Sequence, residues 1–127
     1  MKIRDESVIA IDFDGTIVKH NYPEIGDPVP DALRVIQRLQ REKRCRIILL
    51  TVRGGRLLRD AIGYLKKNQI ELYGANENPR QPGSEFRHSK KVWYDHLIDD
   101  AAIGTPLIET ESKPYVDWAE VERLIFK

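Results

Sequence analysis

Val8-Ile9-Ala10-Ile11-Asp12-Phe13-Asp14-Gly15-Thr16 holds two different messages within one short stretch. Its first four residues are apolar and mostly β-branched, with no polar alternation. That is the pattern of a strand covered on both faces, as in a parallel sheet. The next five residues bring two carboxylates, a hydroxyl and a glycine that marks a turn. A buried strand running into acids and a turn places those acids at the carboxyl edge of a sheet, where open α/β sheets bind ligands.

The sequence on the C-terminal side repeats the alternation of strand and helix. Pro23, Gly26, Pro28 and Pro30 make the segment after the motif a loop. Asp31 is placed to cap a helix reaching about Lys43, with Ala32, Val35, Ile36 and Leu39 on one face. Arg46 to Thr51 reads as a second strand. Leu58, Ala61, Ile62 and Leu65 fall at helical spacing, so a second helix is expected from about Arg56 to Asn68. Glu71 to Ala75 reads as a third strand, followed by a loop from Asn76 to Ser89. A short helix around Lys90 to Tyr94 is expected to lead into a fourth strand, His96 to Asp99. Thr105 to Ile108 suggests a fifth strand. Trp118, Val121, Leu124 and Ile125 suggest a closing helix capped by Asp117. The expected fold is a single α/β domain over residues 1–127, Rossmann-like, with a mainly parallel sheet between helices.

Composition agrees and excludes other classes. A chain of 127 residues with 41% hydrophobic and 32% charged residues is neither disordered nor a membrane span. The apolar run Ile47-Ile48-Leu49-Leu50 is far too short to cross a bilayer. Asp5 and Glu6 interrupt the amino-terminal segment before any apolar stretch, so no secretory signal is read there. Cys45, the one cysteine, cannot form an internal disulfide, and a cytoplasmic location is expected. The net charge of +1 hides a basic stretch from Arg34 to Lys67, whose only acids are Glu42 and Asp60. Solvated helix faces account for most of it, with a field that draws anions as the alternative.

The other strand ends complete an inventory. Strand two runs into Thr51, Val52 and Arg53; strand four runs into Asp99 and Asp100, with Lys90 and Lys91 just upstream. Four carboxylates in one crevice repel unless a cation is present. Hard oxygen ligands without a His or Cys cluster favour Mg2+ over zinc. A carboxylate can attack phosphorus, and a lysine and a hydroxyl can hold phosphoryl oxygens. Arg53 and Arg56 could meet a second anionic group, although a surface position suits each. His20, His88 and His96 share no ligand spacing and read as surface or core; Trp93, Tyr94 and Trp118 read as packing.

Asp12-Phe13-Asp14-Gly15-Thr16 resembles the first motif of the haloacid dehalogenase superfamily, in which Mg2+-dependent phosphatases dominate. Leu49-Leu50-Thr51 resembles its second motif, and Lys91 with Leu97-Ile98-Asp99-Asp100 resembles the third and fourth, all in the family's order. The resemblance implies Asp12 as nucleophile and metal ligand. It implies Asp14 as the group that protonates the leaving group and then deprotonates water, its carbonyl binding the metal. Thr51 and Lys91 would hold the phosphoryl oxygens, and Asp99 and Asp100 would complete the Mg2+ site; Arg53 is a further substrate-binding candidate by its position near Thr51 alone. Spacing within the family selects Lys91 over Lys90, while the direct metal ligand among Asp99 and Asp100 stays open. Residues 17–30 would form the flap over the site. Neither this segment nor 76–95 has room for a cap domain, so the chain resembles the small capless branch.

The implied function is a phosphomonoester hydrolase working through an aspartyl-phosphate on Asp12, with a small phosphorylated molecule favoured over nucleic acid as substrate. The alternatives are a receiver-like signalling domain, a catalytically idle interaction module, a nucleic-acid end phosphatase and a phosphotransferase. The order of motifs and the Asp14 position argue against a receiver. Tyr22, Ile25 and Val29 in the flap have few obvious partners, which suggests a homo-oligomer whose neighbour covers them; packing on their own first helix is the alternative.

Overall fold

The computed structural model describes residues 1–79 and 89–127. His88, read above as surface or core, lies outside them, as does most of the expected loop from Asn76 to Ser89.

Strand β1 is Val8–Ile11, and all four residues are buried, as the unbroken apolar run requires. It lies between β2 (Arg46–Leu49) and β4 (His96–Ile98), and β3 (Leu72–Ala75) follows β2 on the far side. The order is β3-β2-β1-β4 and every pairing is parallel. Ile11 stands opposite Leu49 on one side and Ile98 on the other. This register aligns the carboxyl ends, so Asp12, Thr51 and Asp99 leave the sheet along one edge.

Among the described residues three helices flank the sheet: α1 (Ala32–Lys43), α2 (Gly55–Lys67) and α3 (Trp118–Phe126). Side chains alternate across a strand, and Ile9, Ile11, Ile47 and Leu49 join a core with Val35, Ile36 and Leu39 of α1 and Val121 and Ile125 of α3. Val8, Ala10 and Ile48 point to the other face and are equally buried. The Rossmann-like α/β architecture is as expected.

Four local expectations need correction. Asp31 does not cap α1 with its side chain; it sits at φ 68 and pairs with Arg34 instead. Residues 90–94 are not helical, and Lys90 and Lys91 are both exposed. The fifth strand, β5 (Leu107–Ile108), does not join the main sheet but forms an antiparallel pair with β6 (Tyr115–Val116). Val29 is buried in the core and Ile25 packs against it, which leaves Tyr22 alone exposed among the three apolar flap residues. Packing within the chain therefore satisfies two of the three side chains that suggested a covering neighbour. The Asp117 cap is as expected, its carboxylate accepting from the Glu120 N–H at 3.1 Å.

Part of the basic stretch is paired with acids from elsewhere. Arg34 and Arg38 share Glu122 at 2.7 and 3.1 Å, and Arg44 pairs with Asp5 at 2.8 Å. Solvated, paired helix faces account for these residues. Among the described residues, no helix is long and apolar enough to cross a membrane.

Candidate functional site

The site begins where β1 stops. The Asp12 N–H donates to the Ile98 carbonyl at 3.0 Å, continuing the ladder one step past the strand. The Phe13 carbonyl then accepts from the N–H groups of Thr16, Ile17 and Val18, which winds the chain into a tight loop. Gly15 permits this turn for two reasons. Its φ is 86°, and a Cβ there would collide with the His20 ring and the Asp100 carboxylate. The loop is held from behind by the C-terminal elements: the Val116 N–H donates to the Gly15 carbonyl at 3.1 Å, and the buried Trp118 indole donates to the Thr16 carbonyl at 2.6 Å. The small β5–β6 pair and α3 thus brace the motif.

Thr16 ties the two strand ends together. Its hydroxyl donates to Asp12 Oδ2 at 2.9 Å and accepts from the Asp100 N–H at 3.1 Å. Asp12, Asp99 and Asp100 each offer a carboxylate oxygen, and these lie within 4.8 Å of one another. Burial, the adjacent Asp100 carboxyl and the Asp99 charge together push the Asp12 carboxyl up to about 8. Burial likewise raises Asp99, against the pull of the Ala101 N–H. Three carboxyl groups this close cannot all ionise without cost, and the cluster is compatible with a bound cation. The donor set is all carboxylate oxygen, which fits Mg2+.

Asp14 stands apart from that cluster. Arg53 grips both of its oxygens, Nε to Oδ2 and Nη2 to Oδ1, each at 2.8 Å. Arg53 is not the surface residue expected: it is 1% exposed. Two more of its N–H groups go to the flap carbonyls of Pro23 and Glu24, each at 2.9 Å. Its guanidinium also lies 5.1 Å from the Phe13 ring and 5.2 Å from the Tyr22 ring. Four of its five N–H groups are thus spent on Asp14 and the flap.

Thr51 lies at the end of β2, where its Oγ1 accepts from the Arg53 N–H at 3.1 Å. This is a local turn and not a helix cap, since Gly54 precedes α2. The Thr51 N–H donates to the Asn76 side chain at 2.8 Å. Lys91 is on the segment entering β4, and among the described residues its ammonium makes no ion pair; its backbone N–H meets Ser89 Oγ at 3.2 Å. The structure thus brings together Asp12, Asp99 and Asp100, places Asp14 with Arg53 beside them, and leaves Lys91 exposed.

Sequence reasoning missed three contributors. His20 meets Asp100 Oδ2 at 3.0 Å. Asn76 supports the Thr51 turn from the end of β3. Thr16 was quoted within the motif but given no task, although a hydroxyl four residues after Asp12 is within reach of the same loop.

No protein-family model matches this chain, and no curated protein matches it. A solved structure described as the conserved protein coded by locus from Bacteroides thetaiotaomicron is 36% identical to it, with a TM-score of 0.76. The match covers 94% of this chain and 89% of that one. The chain belongs to the same family as that conserved protein.

Proposed function

We propose that this protein is a Mg2+-dependent phosphomonoester hydrolase of the haloacid dehalogenase type, with Asp12 as its nucleophile. The observation that carries the reading is the carboxylate cluster at the aligned strand ends: Asp12, Asp99 and Asp100 with oxygens within 4.8 Å. Asp12, Asp99 and Asp100 would hold the ion, with the Asp14 carbonyl that the resemblance adds. When bound, Mg2+ supplies positive charge for the carboxylates and for a phosphoryl group beside them.

The chemistry of the protein's own residues follows. An Asp12 oxygen attacks phosphorus, the bond from phosphorus to the leaving oxygen breaks, and the phosphoryl group is held as an acyl phosphate. Water then attacks that phosphorus, its proton passing to Asp14, and phosphate leaves as Asp12 is restored. Thr16 orients Asp12 through the 2.9 Å bond to Oδ2. Arg53 orients Asp14, whose oxygens already serve as acceptors in the ion pair. Protonating a leaving group requires one of those two bonds to open. The Thr51 hydroxyl keeps its proton available for a phosphoryl oxygen, because its oxygen is the acceptor toward Arg53. Lys91 is the cation assigned to the phosphoryl oxygens.

The test is hydrolysis of p-nitrophenyl phosphate. Phosphate release that requires Mg2+, stops with chelator and is abolished in Asp12→Asn supports the reading. Undiminished release in that variant, or no release from a panel of phosphomonoesters, overturns it.

A further inference from the structure

Most apolar residues of the flap point inward. Ile17, Val18 and Val29 are buried and Ile25 packs on the core. Tyr22 is the exception, 58% exposed, yet it is not a loose side chain at a loop tip. Its ring rests 5.2 Å from the Arg53 guanidinium, and Arg53 is itself fixed by hydrogen bonds to Asp14, Pro23 and Glu24. The backbone immediately after Tyr22 is therefore pinned by the same group that pins Asp14. The ring stands one guanidinium away from the carboxylate that handles the departing oxygen. A second apolar side chain, Val52, is almost wholly exposed between Thr51 and Arg53.

We propose that Tyr22 is a preset stacking platform beside the crevice, and that the phosphate ester it receives carries a planar aromatic group, a nucleobase or an aryl ring. The inference rests on the crevice being a phosphate-ester site. Tyrosine suits the task because it offers a large flat surface while ordering few torsions. On that reading, an ester substituent leaving Asp12 on the Asp14 side would meet the exposed Tyr22 ring. Stacking tolerates any planar partner, so the platform selects a class of substrate without reading a particular base.

The test uses phosphonates, whose P–C bond is not hydrolysed, so binding is measured apart from turnover. Calorimetric titrations in Mg2+ compare the methylene phosphonate analogue of AMP with that of ribose 5-phosphate, and benzylphosphonate with propylphosphonate. The aromatic member of at least one pair is expected to bind about tenfold tighter to the wild type and to Tyr22→Phe. Tyr22→Ala and Tyr22→Leu should bring that pair within twofold. A preference confined to the adenosine pair identifies a nucleotide, and a preference in both pairs identifies aryl groups generally. Equal affinities in the wild type, a preference that survives Tyr22→Ala, or no binding of any probe overturns the proposal. Selective binding without phosphate release from AMP or phenyl phosphate overturns the hydrolase reading and leaves the platform standing.

Discussion

Asp12→Asn should stabilise the metal-free protein at alkaline pH. The Asp12 carboxyl lies at about 8 in the folded chain against an ordinary 3.8. The folded state therefore holds a proton that the unfolded state releases. Stability falls as pH rises through the window from about 4 to 8 and is flat beyond it. Each tenfold change in proton affinity is worth about 1.4 kcal/mol, which sets a ceiling of about 6 kcal/mol. Asp12 is only partly buried, and water reaching the cluster reduces the expected penalty to about 2–3 kcal/mol. For a chain of this length that is about 8–11 °C in melting temperature. Asparagine removes the charge, keeps the shape and still accepts the Thr16 hydroxyl.

The assay is thermal unfolding of wild type and variant in chelator from pH 5 to 9, taking the difference at each pH so that other groups cancel. At pH 5 the gap should be smaller, because the wild type has then crossed only the first part of that window, and the two converge below about pH 4. At pH 8.5 the variant should melt higher. Millimolar Mg2+ at pH 8.5 should raise the wild type more than the variant. A variant that is less stable at pH 8.5, or a difference that does not change with pH, refutes the claim that the cluster is electrostatically strained.

Arg53→Met should cost about 3–5 kcal/mol by stranding the Asp14 carboxylate and releasing the flap carbonyls, read as a drop in denaturation midpoint. Adding Asp14→Asn should recover at least about 1 kcal/mol of that loss, and strict additivity would deny the coupling. Gly15→Ala should destabilise by at least about 2 kcal/mol, from left-handed backbone and collision with His20 and Asp100, and a melt unchanged from wild type would contradict it. Lys91→Met should leave the melting temperature within about 2 °C, since the residue is exposed, while lowering kcat/KM at least tenfold; retained activity would remove Lys91 from the site.

What could be read from the sequence was set by how locally each feature is encoded. The apolar run Val8–Ile11 and the helical spacing of Leu58, Ala61, Ile62 and Leu65 are local patterns, and the corresponding elements formed where expected. The acids at the strand ends were legible because parallel register carries them to one edge. Arg53 was not legible, because nothing local distinguishes a buried arginine from a solvated one. Its burial depends on Asp14, 39 positions away, and on carbonyls 29 and 30 positions away in the flap. His20 was missed for the same reason, its partner Asp100 being 80 positions distant. Residues 90–94 show the converse, where the expected helix gave way to a segment whose N–H groups turn to side chains such as Ser89 and Asn78. The pairings that set the electrostatics of this site are long-range, and they decide which charges are spent on the fold and which are left for a ligand. Asp14 and Arg53 neutralise one another, whereas among the described residues Asp12 and Asp99 have no ion pair and Asp100 pairs only with the His20 ring. That imbalance, more than the motif, is the physical ground for expecting the cluster to bind a cation.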